Sequence, residues 1–193
     1  MKKLFLLLFI LIGLCPFWGN TQKPISIGII SDFEANDARF SSLNQLIVDE
    51  IKKTVGIKFK LNVDSSNWMS ANWNPAQAAT NYESLANRCD LIIAIGANSL
   101  QGWQRGDLFK VPTIGVGVFH PEIENIPITD QKTSGTQNFS YVLTGQDVQD
   151  QLTTFKEKFQ FENLNMLFDS RTSKSLDQEL LKSRLELLET ALD

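Results

Sequence analysis

The chain has 193 residues, with 18 Lys and Arg against 22 Asp and Glu, 42% hydrophobic residues and 10% aromatics. A charged fraction of 21% beside this apolar content excludes wholesale disorder. The formal net charge of −4 gives no electrostatic footprint for nucleic acid, and the length suits one ordinary domain, or one and a half small lobes, able to bury a core without staples.

Residues 1–21 read as a secretory leader. Lys2 and Lys3 form the basic start, and Leu4 to Leu14 is an apolar run broken only by Gly13. That run is too short to cross a bilayer as a helix, which takes about 20 residues. Cleavage after Thr21 would place Gly19 and Thr21 at the two small-residue positions. Lipidation at Cys15 is the alternative, and Ile12-Gly13-Leu14 fits it poorly because a small residue is expected just before the cysteine. Loss of residues 1–21 removes two lysines and no acid, so 16 basic residues face 22 acids and the exported part stands at −6. The expected location is therefore the periplasm or cell envelope. Cys89 is then alone and reads as a buried small hydrophobe.

The rest of the chain alternates. Ile25-Ser26-Ile27-Gly28-Ile29-Ile30 is an uncharged β-branched run, as expected of a strand buried on both faces, and it ends in Ser31-Asp32. Phe40, Leu43, Ile47, Ile51 and Val55 recur at helical spacing, with Asp37 as N-cap and Gly56 as stop. Ile57, Phe59, Leu61 and Val63 alternate with Lys58, Lys60 and Asn62, which predicts a second strand over 57–63 near an edge. A helix is expected over Pro75 to Asn87, capped by Asn74, and a third strand over Leu91 to Ile95. Gly96-Ala97-Asn98-Ser99 turns into a short helix through Leu100 and Trp103, and Thr113 to Val118 is a fourth strand. Gly115 and Gly117 within it read as packing room. His120 to Thr133 reads as a long loop. Asn138 to Leu143 follows as a strand, Gln146 to Phe159 as a helix, Leu164 to Phe168 as a strand and Ser175 to Leu192 as a helix.

Such alternation predicts an α/β fold, a parallel sheet flanked by helices with right-handed crossovers. The expected organisation is a leader over 1–21, a first α/β lobe over 22–144, and the start of a second, incomplete lobe over 145–193. Leu176, Leu180, Leu181, Leu185, Leu188 and Leu192 form an apolar stripe that needs a cover. With no stop signal before Asp193, the expectation is a fragment or a chain that pairs with another polypeptide.

In open parallel sheets, ligands bind beyond the carboxyl ends of the strands. Four loops fall there: Ser31-Asp32-Phe33-Glu34, Ser65-Ser66-Asn67-Trp68, Gly96-Ala97-Asn98-Ser99 and Val118-Phe119-His120. Their hydroxyls, amides, carboxylates and aromatic faces suit a small organic ligand. The Gly96 turn offers backbone N–H groups to an anion or carbonyl, or is simply a capped strand-to-helix turn; it lacks dinucleotide and P-loop spacing. Asp32, Glu34 and Asp37 lack the full calcium-loop pattern and read as a solvated capping loop, so no metal or cofactor is assigned. Trp68 and Trp73 read either as an aromatic lid or as cover for a sheet edge. The one histidine, His120, has no Gly-x-Ser-x-Gly elbow beside it, so the expectation is binding without catalysis.

As an ordered set, Ile25 to Asp32, Cys89 to Ala97, Lys110 to Val118 and Ser134 to Tyr141, behind an exported leader, resemble the ABC-type periplasmic substrate-binding proteins of the type I fold. The segments His120-Pro121-Glu122-Ile123-Glu124-Asn125-Ile126-Pro127 and Ser134 to Tyr141 are similar to substrate-binding-like N-terminal domains of some TolC-type outer-membrane efflux proteins. The resemblance implies a clamshell that holds a ligand between two lobes. By that analogy Ser31, Asp32, Gly96, Ala97, Asn98 and Phe119 stand on the first-lobe side, and Asp169 and Ser170 face them. The implied partners are a small organic ligand and an envelope transporter or outer-membrane efflux component; the second reading is a sensing or docking domain of an efflux system.

Overall fold

The structure, a computed structural model, describes residues 23–101, 109–131, 133–143, 148–161, 169–173 and 176–183. The leader, Cys15, Trp103, the strand expected over Leu164 to Phe168 and the stripe residues Leu185, Leu188 and Leu192 lie outside the described residues.

β1 (Ile25–Ser31) is an inner strand of the sheet, and its isoleucines bury on both sides. Ile27 and Ile29 pack with Val48, Ile93 and Ile95 on one face, while Ile30 joins Leu85, Ile92, Ala94 and Leu100 on the other. α1 (Ala38–Thr54) covers the first face through Leu43, Ile47, Val48 and Ile51. Its N-terminus is capped as expected: the Asp37 side chain accepts from Arg39 N–H. α2 (Pro75–Ala86) covers the second face through Ala78, Tyr82 and Leu85, and the Asn74 side chain accepts from Ala76 and Gln77 N–H. α3 (Ala97–Gln101) lies on the same side, with Leu100 in that core.

β4 (Leu91–Ile95) and β5 (Thr113–Val118) pair in parallel beyond β1, and β6 (Phe139–Leu143) closes the far side. The short β2 (Leu61–Asn62) and β3 (Trp68–Ser70) both pair with β1 on its other side, the order is β2-β1-β4-β5-β6, and every pairing is parallel. This is the parallel, helix-flanked α/β sheet that the alternation predicts.

The strand expected over 57–63 does not form as such. β2 (Leu61–Asn62) pairs only with Ile25 and Ser26. β1 starts at Ile25, whose N–H donates to Lys60 carbonyl, so residues 57–59 have no strand to pair with among the described residues. The chain then leaves the sheet. Asp64 accepts from Ser66 N–H and caps a 3₁₀ turn at Ser65–Asn67, an option that short polar side chains offer in place of a ladder. It rejoins as β3 (Trp68–Ser70), opposite Ile29 to Ser31. Trp68 is therefore a strand residue packed on the α1 face, not part of a lid.

After β6 come α4 (Val148–Phe159), the short α5 (Ser170–Ser173) and a helical stretch at 178–183. Asp177 N–H donates to Ile123 carbonyl at 2.6 Å, which ties the last stretch to the turn after β5, and Leu181 of the expected stripe is buried.

Candidate functional site

The carboxyl ends of β1, β3, β4 and β5 lie side by side, so the loops that follow them form one rim. Its floor is built around Asp32, which is buried. Oδ2 accepts from Asn98 N–H at 3.0 Å and Asn98 Nδ2 at 3.2 Å, and Oδ1 accepts from Ser99 N–H and Ser99 Oγ, both at 2.6 Å. Burial still raises its pKa above the ordinary carboxylate value, against the pull of those four bonds. The backbone N–H groups that the Gly96 turn offers to an outside anion are thus taken by the protein's own carboxylate. Gly96 has φ +100°, and a Cβ there would stand 2.5 Å from Asp32 Oδ2, so glycine is what lets the turn close on the acid.

A second buried carboxylate does the same for the next loop. Glu124 Oε1 accepts from Phe119 N–H at 2.7 Å and His120 N–H at 2.9 Å. Burial raises its pKa first of all, and the charge of nearby Asp32 adds to the rise. His120 Nδ1 accepts from Ile123 N–H at 3.4 Å, so the histidine serves the same turn. Gly117 has φ +84° where the β5–β6 register shifts between Val116 and Val118. It is the bulge residue rather than packing room, and the bulge sets the direction in which Phe119 leaves the sheet.

Above this floor stands an aromatic wall. Phe33 and Trp73 meet edge to face at 5.6 Å. Asn72 and Trp73 both have positive φ, 52° and 54°, in a turn held by Trp73 N–H on Asp32 carbonyl and Ala71 N–H on Ser31 carbonyl. Two consecutive non-glycine residues in this region store strain, as turns at binding sites often do. Arg39 lies over Phe33 at 4.8 Å, and Arg171 over Trp73 at 4.8 Å. Arg171 also comes within 4.0 Å of Glu34. The residues after 168 therefore meet the rim of the first α/β unit.

The structure brings Ser31, Asp32, Gly96, Ala97 and Asn98 together. Ser31, Asp32 and Asn98 are buried, while Gly96 and Ala97 are half-buried at the rim. Buried Asn98 Oδ1 and Ser31 Oγ carry no hydrogen bond among the described residues. Phe119 stands 64% exposed. Asp169 and Ser170 are exposed, and Asp169 turns to Arg171, which it grips through N–H at 2.9 Å and Nη2 at 2.6 Å. That fork lowers the Asp169 pKa to about 2.

Arg171 is the contact that the residue reading missed; it lies over Trp73, which that reading gave as lid or edge cover. One signal was available: Asp37-Ala38-Arg39 and Asp169-Ser170-Arg171 share the spacing Asp-x-Arg, and both arginines fold back on the aspartate in the same pattern. Among the described residues no group of three or more His, Cys, Asp or Glu is placed to hold a metal ion.

No protein-family model and no curated protein matches the chain. Solved structures do. The ABC domain from Streptococcus pneumonia in complex with L-Trp is 20% identical with a TM-score of 0.60, over 88% of this chain and 55% of that one. The ligand-free, open structure of a substrate-binding protein with adhesive properties from Clostridium difficile is 20% identical with a TM-score of 0.51, over 70% of this chain and 43% of that one. The chain spans about half the length of these structures. Its fold is the parallel α/β arrangement that they share.

Proposed function

We propose that the chain is a non-catalytic, exported solute-binding module of the ABC-transporter substrate-binding type, which holds a small organic ligand between the rim of the first α/β unit and the residues after 168. The observation that carries this is Arg171 reaching back over Trp73 and toward Glu34. A contact of that kind, made from a distant part of the chain across the carboxyl ends of a parallel sheet, gives a cleft two walls.

The chemistry narrows the ligand. Asp32 and Glu124 fill backbone donors that a phosphate or sulfate would use. Arg39 is matched by Asp37 and Arg171 by Asp169, so neither sign dominates the wall. Phe33, Trp73 and Phe119 supply ring faces. A neutral or zwitterionic compound with a planar ring fits this set, and the L-Trp held by the pneumococcal neighbour is of that class.

A thermal-shift screen of the full chain against amino acids, sugars and aromatic acids tests the proposal. A ligand at a hundred times its Kd stabilises by about 2.7 kcal/mol, a rise of several degrees. Aromatic zwitterions should give that rise, and Trp73→Ala or Arg171→Ala should remove most of it. Stabilisation by no compound, together with measurable turnover of one, would sink the proposal.

Docking onto a TolC-type efflux component is the second reading. It is favoured by β6, the edge strand among the described residues, which begins within the Ser134 to Tyr141 likeness and ends in Val142, 51% exposed, and Leu143, 44% exposed. Co-purification with an outer-membrane efflux protein that is lost in Val142→Lys would put this reading first.

A further inference from the structure

Opposite the rim lies a surface that ligand binding does not use. Residues 52–60 read Lys52-Lys53-Thr54-Val55-Gly56-Ile57-Lys58-Phe59-Lys60, four lysines and no acid in a chain of net charge −4. All nine residues are exposed. Ile57 is 83%, Phe59 44% and Val55 39% exposed. The apolar groups are presented by a folded turn: Val55 N–H donates to Ile51 carbonyl at 2.8 Å, Lys58 N–H to Val55 carbonyl at 2.9 Å and Phe59 N–H to Val55 carbonyl at 3.1 Å. Lys53 pairs with Glu50 at 3.5 Å, while Lys52, Lys58 and Lys60 form no ion pair among the described residues.

We infer that this turn is a docking surface for an anionic phospholipid bilayer. Three apolar side chains interleaved with lysines are what an interfacial segment presents. The apolar tips enter the acyl boundary, and the lysine stems lie along it with their ammonium groups at the phosphates. Nucleic acid would match the lysines but leave Ile57 and Phe59 in water, and the negative chain as a whole repels it. Position agrees with the assignment. Lys60 carbonyl accepts from Ile25 N–H at 2.9 Å, so the turn sits where the chain enters β1, at the pole opposite the strands' carboxyl ends. β1 runs from this pole to Asp32 over seven residues, roughly 20 Å. A chain seated on lipid by residues 55–60 therefore keeps its ligand rim pointing away from the membrane.

The test must be site-resolved, because the apolar run at residues 4–14 can itself enter bilayers. Hydrogen exchange of the full chain is measured alone, with phosphatidylcholine vesicles, and with vesicles carrying phosphatidylglycerol. The expected result is slower exchange of amides 55–60 with phosphatidylglycerol only, suppressed by high salt, and no change at Gly96 to Ser99. Each lysine near the surface adds about fivefold to the affinity for an anionic bilayer, so Lys52→Gln/Lys58→Gln/Lys60→Gln should weaken the protection by on the order of a hundredfold in lipid concentration. Ile57→Ser/Phe59→Ser should abolish it with an unchanged thermal midpoint. Equal protection by both vesicle types, none with phosphatidylglycerol, or protection that appears with protein concentration and no lipid would overturn the inference.

Discussion

Asp32 closes β1, yet the N–H groups it satisfies belong to Asn98 and Ser99, far along the chain. A long-range cap of this kind makes one acid responsible for the geometry of two loops. Asp32→Ala leaves two buried backbone N–H donors, the Asn98 side-chain amide and the Ser99 hydroxyl without their acceptor, and equilibrium unfolding in urea should show a loss of about 2–4 kcal/mol. Asp32→Asn, which retains one acceptor oxygen, should lose less. Gly96 and Gly117 form a matched pair of tests. Both hold positive φ, but a Cβ at Gly96 meets Asp32 Oδ2 at 2.5 Å, whereas one at Gly117 finds nothing nearer than 3.7 Å. Alanine at Gly117 should cost only the backbone conformation, about 1 kcal/mol, and alanine at Gly96 distinctly more. The sequence shows Asp32 as polar and loop-terminal, but nothing local says whether its carboxylate faces a ligand or another loop. That depends on the β1–β4 register, which pairs Ser31 with Ile95 and brings the two turns together.

Helices and inner strands were legible for clear reasons. Asp37 and Asn74 cap α1 and α2 where their side chains meet the first free N–H groups, and β4 and β5 are uncharged runs with a helix or loop on either side. The edge was not legible. Alternation at 57–63 is real in the sequence, but a strand needs a neighbour as long as itself, and β1 begins too late to supply one. Ile57 consequently bears no packing role, and Ile57→Ser should leave unfolding within about 0.5 kcal/mol of the parent. Leu85 is fully buried between α2 and the sheet, so Leu85→Ala should cost about 2–5 kcal/mol in the same measurement. If the two substitutions proved equally costly, the turn at 55–59 would have to pack against the body of the protein. The contact of Arg171 with Trp73 and Glu34 was not legible, because nothing local to residues 169–171 says which distant loop a side chain there reaches.

Across the whole molecule, the acids divide into two groups whose effects on folding oppose each other. Asp32 and Glu124 have raised pKa values because they are buried, so the folded state holds their protons more tightly than the unfolded chain does. Their ionisation destabilises the fold as pH rises through those raised values, and the penalty is absent at more acidic pH. Asp37, Asp64, Asp90 and Asp169 have lowered values, through bonds from Arg39, the Ser66 backbone, the Ser26 backbone and Arg171 respectively. The stability they supply is complete above about 4, the unfolded aspartate value, and is lost as pH falls below it, for Asp169 through about 2. The midpoint of thermal unfolding should therefore peak at mildly acidic pH, above its value at neutrality, and fall again below about pH 4. A midpoint that climbs steadily from pH 5 to pH 8 would mean that Asp32 and Glu124 ionise without penalty.

The central claim is that one rim, at the carboxyl ends of a parallel sheet, takes up a small planar compound and returns it unchanged. Amide chemical shifts of the full chain, followed during titration with the compound that stabilises it most, test this directly. The account predicts saturable changes concentrated at Phe33, Trp73, Gly96, Ala97, Phe119 and Arg171, with the compound recovered intact. Changes centred on the opposite pole near Ile57, or conversion of the compound during the titration, would contradict it.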